Sequence, residues 1–281
     1  IVDANRKSYG QYILTGSQNF LMMEKVSQSL VGRAALLTLY PCMVSEVDGP
    51  KAPMRHEPRD VADWILRGGY PELRARPELD RSLWCSSYIQ LYLERDIRQI
   101  LNVTDSVAFE RFIHLVALRT GQILNMSDLA RDAGVSVPTA SRWLSTLQAS
   151  YQVHLLPPFH ANLSKRLIKA PKLYFGDTAL ASYLMGIHTP EVLLQGPFLG
   201  HLFETAVVLE HIKYASLSGS LSALSYFRTR DGLEVDLLIE QGATLQGREI
   251  KMQRTLSPHW GDSLIKTETL LKRSLSPSIL A

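Results

Sequence analysis

Residues 125–148, NMSDLARDAGVSVPTASRWLSTLQ, leave the backbone few choices. A helix is expected from about Ser127 to Ala133, ending at the turn-forming Gly134. Ser136 then caps a second helix that carries Pro138 in its first turn. Leu129, Ala130, Val135, Ala140, Trp143, Leu144 and Leu147 face inward in this reading, with small Ala130 letting the two helices cross closely. That is helix-turn-helix spacing. The outward side of the second helix offers Ser136, Thr139, Arg142 and Ser145, short polar groups and one charge suited to base edges or phosphates. Two strand-like runs, SYQVHLLPPF and NLSKRLIKAPKLYFGD, are expected to form a wing bearing Lys165, Arg166, Lys169 and Lys172 against a phosphate backbone. DNA is therefore the expected partner, without strong sequence preference, since only one arginine lies on the outward face. A packing or protein-contact role for the same elements is the alternative.

The second constraint lies in EVDLLIEQGATLQGREIKM, residues 234–252. Its alternation places Val235, Leu237 and Ile239 on one face and Glu234, Asp236, Leu238 and Glu240 on the other. With a turn at Gln241-Gly242, the returning strand sets Gly247, Glu249 and Lys251 on the face of Asp236, and Gly247 leaves room there. Cross-strand neighbours lie about 5 to 8 Å apart, close enough for two carboxylates to share one cation. Asp236 and Glu249 could hold Mg²⁺, with Glu204 from the preceding helix as an outer acid. Such an ion lowers the pKa of its water and offsets charge growing on a phosphate, while Lys251 orients the water or stabilises that charge. The residue types fit phosphodiester hydrolysis. An edge hairpin whose charges merely keep it soluble is the competing reading.

Elsewhere the chain reads as mixed α/β. A strand at Tyr12-Ile-Leu, a helix from about Asn19 to Val31 and a strand from Ala34 to Leu39 suggest the tail of an α/β domain. From Val44 to about Pro77 the Pro and Gly breakers suggest a linker with one short helix near Val61–Arg67. Helical stripes follow, with Trp84, Tyr88, Leu91 and Tyr92 and then Phe109, Phe112, Ile113, Val116 and Ala117 expected in the core, with no cofactor assigned. After Lys251 only one helix, Asp262 to Lys272, is expected, so that the sheet lacks a further strand. Cys42 and Cys85 have no CxxC spacing and read as reduced thiols. No apolar run reaches the eighteen or so residues of a membrane helix and no signal segment opens the chain, so a cytoplasmic location without membrane contact is expected. A net charge of +3 permits nucleic acid without demanding it. Because the chain opens on Ile1, a fragment of a longer protein is expected.

Several stretches converge: YILTGSQNFLMMEKVSQSLVGRAALLTLYP, GGYPEL, YLERDIRQI, KRLIKAPKLYFGDTALASYLMGI, FETAVV, RTRDGLEVDLLIE and EIK, together with the helix-turn-helix stretch. They resemble bacterial and archaeal AAA-type ATPases that carry the C-terminal domain of unknown function 4143. The resemblance implies a P-loop ATPase domain, a winged helix and a domain similar to PD-(D/E)xK nucleases. Residues 1–43 would be the remnant of the ATPase domain, 44–107 a linker and helical segment, 108–178 the winged helix-turn-helix and 179–281 the nuclease-like domain. Ser17 or Gln18 would occupy the sensor position and Arg33 would sense phosphate, while Asp236, Glu249 and Lys251, with Glu204, match the nuclease motif. No G-x-x-x-x-G-K-[ST] loop is present, nor an apolar strand ending in Asp-Glu, so ATP is expected only as a ligand of a longer parent. The function expected is a DNA-binding piece of an AAA-type ATPase, the alternatives being an active Mg²⁺-dependent nuclease and a non-catalytic interaction scaffold. Self-association is a further expected mode of contact.

Overall fold

Local capping sets the helices of the first half. The computed structural model describes residues 13, 35, 37–49, 57–92, 105–159, 168–219, 222–253 and 258–280. Helix α1 (Val44–Val47) is short. Pro58 and Pro71 stand in the first turns of α2 (Pro58–Arg67) and α3 (Pro71–Ala75), where their missing N–H costs nothing. Asp80 caps α4 (Arg81–Tyr88) and Asp105 caps α5 (Ser106–Leu118), each accepting a backbone N–H three residues on. Beyond β1 (Gln122–Ile123), Asn125 caps α6 (Met126–Ala133), and Gly134 ends it in the left-handed region at φ 76°. Ser136 caps α7 (Val137–Ala149).

Strands β2 (Val153–Leu156) and β3 (Lys172–Phe175) complete an antiparallel sheet in the order β1-β3-β2. Trp143 meets Phe109 and Phe112 edge-on, at 5.1 and 5.3 Å between ring centres. Helices α2 to α7, α8 (Thr178–Leu184) and α9 (Pro190–Gln195) share one apolar core, so the stretch up to Pro77 expected as a linker is built, from Pro58 on, into the helical unit, while the short helix expected within it is present as α2.

The C-terminal half begins with α10 (Leu199–Leu217), which packs on β3 and on a second sheet. That sheet contains β4 (Ala223–Arg228), β5 (Glu234–Gln241), β6 (Thr244–Ile250) and β7 (Ser276–Leu280), in sequence order. A two-residue Gly242-Ala243 loop joins β5 to β6, with Gly242 at φ 58° supplying the positive φ that such a hairpin requires. Helix α11 (Asp262–Leu271) crosses over the sheet, and β7 returns parallel to β6. The expectation that only a helix follows Lys251 is thus corrected: SPSIL pairs along β6, and Pro277 is tolerated because β7 lies at an edge.

Other expectations change as well. The described residues 37–40 form no strand, since extended backbone becomes one only where a ladder partner pairs with it. Leu91 is 58% exposed; α4 turns Cys85 and Ile89 inward, while Tyr70, Trp84, Tyr88 and Tyr92 pack ring on ring beside them. Tyr12, Leu14 and the helix expected over 19–31 lie outside the described residues. Among the described residues, no helix is long and apolar enough to cross a membrane.

The two sheets are stitched together. Pro158 bridges to Tyr226 in parallel, with Phe159 N–H donating to the Tyr226 carbonyl at 2.7 Å and Tyr226 N–H to that of Pro157 at 3.0 Å. Ile168 N–H donates to the carbonyl of Arg228 at 3.0 Å. Leu156, Tyr174, Val208, Tyr226, Leu237 and Ile250 form one apolar cluster across this seam.

Candidate functional site

The acids of the second sheet gather where its pairing is irregular. Phe227 pairs with Val235 and Ser225 with Leu238, which leaves Asp236 and Leu237 opposite Tyr226 alone, a β-bulge. The bulge breaks the expected alternation: Val235 packs with Leu238 in one cluster, while Leu237 and Ile239 lie in another. Asp236 Oδ2 accepts the Ile250 N–H at 2.9 Å, fastening β5 to the end of β6 through a side chain.

Asp236, Glu249 and Lys251 do converge. Lys251 Nζ lies 3.3 Å from Asp236 Oδ2 and 3.1 Å from Glu249 Oε2. Ser263, from the start of α11, donates to Glu249 Oε1. The room expected beside Gly247 is filled, because a Cβ there would meet Leu264 at 2.7 Å and Leu275 at 2.8 Å. The Asp236 and Glu249 side chains are accordingly only 8% and 5% exposed.

Glu204 reaches the same region from α10 but is held elsewhere. Its Oε1 accepts from Lys172 Nζ at 2.9 Å and from the Tyr174 hydroxyl at 2.7 Å. Lys172 also lies 2.5 Å from Glu234 Oε1 and 3.7 Å from Asp236 Oδ1, with Tyr226 beneath it at 5.6 Å. Arg228 bonds the other oxygen of Glu234 at 2.8 Å. The wing lysine expected on phosphate is therefore buried among acids, 3% exposed, because unpaired carboxylates there would be costly.

Burial opposes the Lys172 charge, yet Glu204, Glu234 and Asp236 together raise its pKa well above the ordinary lysine value. Lys251 is raised in the same way, by Asp236 and Glu249 against burial. Burial and the neighbouring Asp236 charge push the Glu249 carboxyl up, partly offset by Ser263 and Lys251. Two carboxylates are the donor type that a divalent ion takes, and here both are already paired with Lys251. Glu204 does not join them, being taken by Lys172 and Tyr174. Among the described residues, no group of three or more His, Cys, Asp or Glu side chains is disposed to hold a metal ion.

The helix-turn-helix residues lie elsewhere. Ser136, Arg142 and Ser145 are exposed on α7 and Thr139 is half-buried, its N–H capped by the Ser136 hydroxyl at 3.3 Å. Lys169 is exposed. Ser17, Gln18, Arg33, Lys165 and Arg166 lie outside the described residues. Sequence reasoning missed Glu234, Tyr174 and Ser263 as members of the acid network, and Lys172 as its cation. One signal was available: in KLYF, Lys172 and Tyr174 share a strand face within an otherwise apolar run, which implies a buried partner.

Residues 1–48 match a family described as AAA domain, residues 58–191 the domain of unknown function DUF8612 and residues 199–280 the domain of unknown function DUF4143. Similarity to an AAA domain at one end and to DUF4143 at the other thus occurs in one chain. This agrees with the AAA-type family with DUF4143 that the sequence resembles. Uncharacterized protein Rv2008c of Mycobacterium tuberculosis and Uncharacterized protein Mb2031c of Mycobacterium bovis are each 32% identical over 248 residues, covering 88% of this chain and 53% of the relative. The chain thus spans about half the length of these curated relatives. No solved structure matches it. The DUF4143 segment contains Glu204, Glu234, Asp236, Glu249 and Lys251, whereas Lys172 and Tyr174 come from the DUF8612 segment.

Proposed function

We propose that this chain is the duplex-contacting part of an AAA-type ATPase, with ATP binding and hydrolysis belonging to the longer protein. Helices α6 and α7, between β1 and the β2–β3 pair, form a winged helix-turn-helix, and α7 faces the DNA groove. The observation that carries this reading is the two-sidedness of α7: Ala140, Trp143, Leu144 and Leu147 are buried, while Ser136, Arg142 and Ser145 are free of the core and polar. Arg142 and Lys169, with Lys165 and Arg166, supply the phosphate contacts. With so few cations, affinity is in the nonspecific range, about 10⁻⁴ to 10⁻⁶ M at physiological salt. Fluorescence anisotropy with a labelled duplex at several salt concentrations tests this. Arg142→Ala should weaken binding and lower the salt slope by about one; an affinity unchanged by Arg142→Ala and Lys169→Ala together would leave the interaction-scaffold reading in its place.

The convergence of Asp236, Glu249 and Lys251 favours a second reading, a PD-(D/E)xK-like centre that cleaves phosphodiesters with Mg²⁺. Asp236 and Glu249 would hold the ion, which when bound supplies a polarised phosphate and a water of lowered pKa. Lys251 would place its ammonium against charge developing on the phosphate. Ser263 fixes one Glu249 oxygen and Ile250 N–H one Asp236 oxygen, so both acids are oriented before any ligand arrives. Plasmid incubated with Mg²⁺ should be cut by wild type and spared by Asp236→Ala; equal cutting by both would point to contamination.

A further inference from the structure

The carboxylates of the C-terminal sheet already hold a cation, and it comes from another element. β3 is the middle strand of β1-β3-β2, paired on both sides, so Lys172 is carried on fixed backbone. Its ammonium contacts Glu204, Glu234 and Asp236, drawn from α10 and β5. Lys251 pairs with both Asp236 and Glu249. The acids Glu204, Glu234, Asp236 and Glu249 thus meet Lys172, Lys251 and Arg228, leaving one acid in excess.

We propose that Lys172 is an internal competitor for the divalent cation at Asp236, weakening metal binding in the folded chain by placing a fixed positive charge beside the ligand oxygens. The proposal rests on the second reading above and names what controls metal entry at that site. Lys251 differs from Lys172. It is 39% exposed at the rim and can swing toward solvent, whereas Lys172 is enclosed and has no comparable exit. A divalent ion approaching Asp236 therefore meets the Lys172 charge at short range in a site shielded from water, where repulsion is strong. Removing that charge leaves two acids in excess, matching the charge of one divalent ion.

The test is Mn²⁺ binding, followed by electron paramagnetic resonance of the free ion and by the Mn²⁺-dependent shift in Tm, with no reliance on nuclease activity. Lys172→Met should bind Mn²⁺ at least about ten-fold more tightly than wild type, and Mn²⁺ should raise the Tm of the variant more than that of wild type. Adding Asp236→Asn to Lys172→Met should abolish the gain. Equal or tighter binding by wild type, no binding by a folded Lys172→Met, or a gain that survives Asp236→Asn would each overturn the proposal. Should Lys172→Met fail to fold, Lys172→Gln decides by the same comparison, since it removes the charge and keeps a donor for the Glu204 carboxylate. Absence of plasmid cutting would defeat the nuclease reading without touching this result.

Discussion

Gly68 shows how a single position can be fixed from two sides. Its φ of 61° suits glycine, and a Cβ there would stand 2.1 Å from Asp177 Oδ1. Asp177 cannot retreat, because it accepts the Gly69 N–H at 2.7 Å and the Ala179 N–H at 2.8 Å in a buried position. Gly68→Ala should cost about 2 to 4 kcal/mol, read from the midpoint of urea unfolding, whereas Gly186→Ala, with open space around it, should cost only the positive-φ strain of about 1 kcal/mol. His154 supplies the pH dependence. Burial, with the Lys213 charge, lowers its pKa from 6.5 to about 4, and its Nε2 is buried without a hydrogen-bond partner. Above pH 6.5 the imidazole is neutral in both folded and unfolded chains; as pH falls toward 4, the unfolded chain takes a proton that the folded one refuses. Stability should therefore drop across that window, by at most about 3 kcal/mol. His154→Phe should flatten this part of a pH series of unfolding midpoints, and coincident acid limbs would assign the loss to other groups.

Among the elements, α7 depends on its first turn. Ser136 caps the Thr139 N–H, so Ser136→Ala should destabilise by about 1 kcal/mol and Ser136→Gly by only a few tenths, measured by denaturant unfolding. This helix pair was readable because its signals are local: Asn125, Gly134, Ser136 and Pro138 lie within the segment they shape. The β5–β6 hairpin was readable in its parity but not in its register, since the loop is Gly242-Ala243 and not Gln241-Gly242, which pairs Gly247 with Leu238; nor was the bulge at Asp236 readable, since it arises from pairing with Tyr226 on β4. β7 escaped because its partner lies 30 residues upstream, at Gln246 to Ile250, and because Pro277 argues against a strand until its edge position is known. Lys172 was misread for a related reason. A lysine near other lysines looks solvated, and only the tertiary fold brings Glu204 and Glu234 to it. Leu91 failed differently: the stripe was real, but α4 is turned so that Cys85 and Ile89 enter the core, where burial pushes the Cys85 thiol up to about 12.

At the scale of the molecule, segments that match different families are held by shared polar joints. Lys213 of α10 donates to the Cys42 carbonyl at 3.0 Å, Glu210 accepts the Val44 N–H at 2.9 Å and Cys42 N–H donates to the Gly69 carbonyl at 2.7 Å. Residues 199–280 produced alone would lose Lys172 from among Glu204, Glu234 and Asp236, and would bare the β4 edge that residues 157–159 now cover. Such a fragment should aggregate at neutral pH, and size-exclusion chromatography should show 168–280 no better unless 157–159 are also supplied. The seam between the sheets also bears on exchange of parts between relatives. A C-terminal domain transplanted at the family boundary near residue 199 would arrive without its counter-ion and without its neighbouring strand, so the smallest portable unit starts upstream of Pro157, at β2.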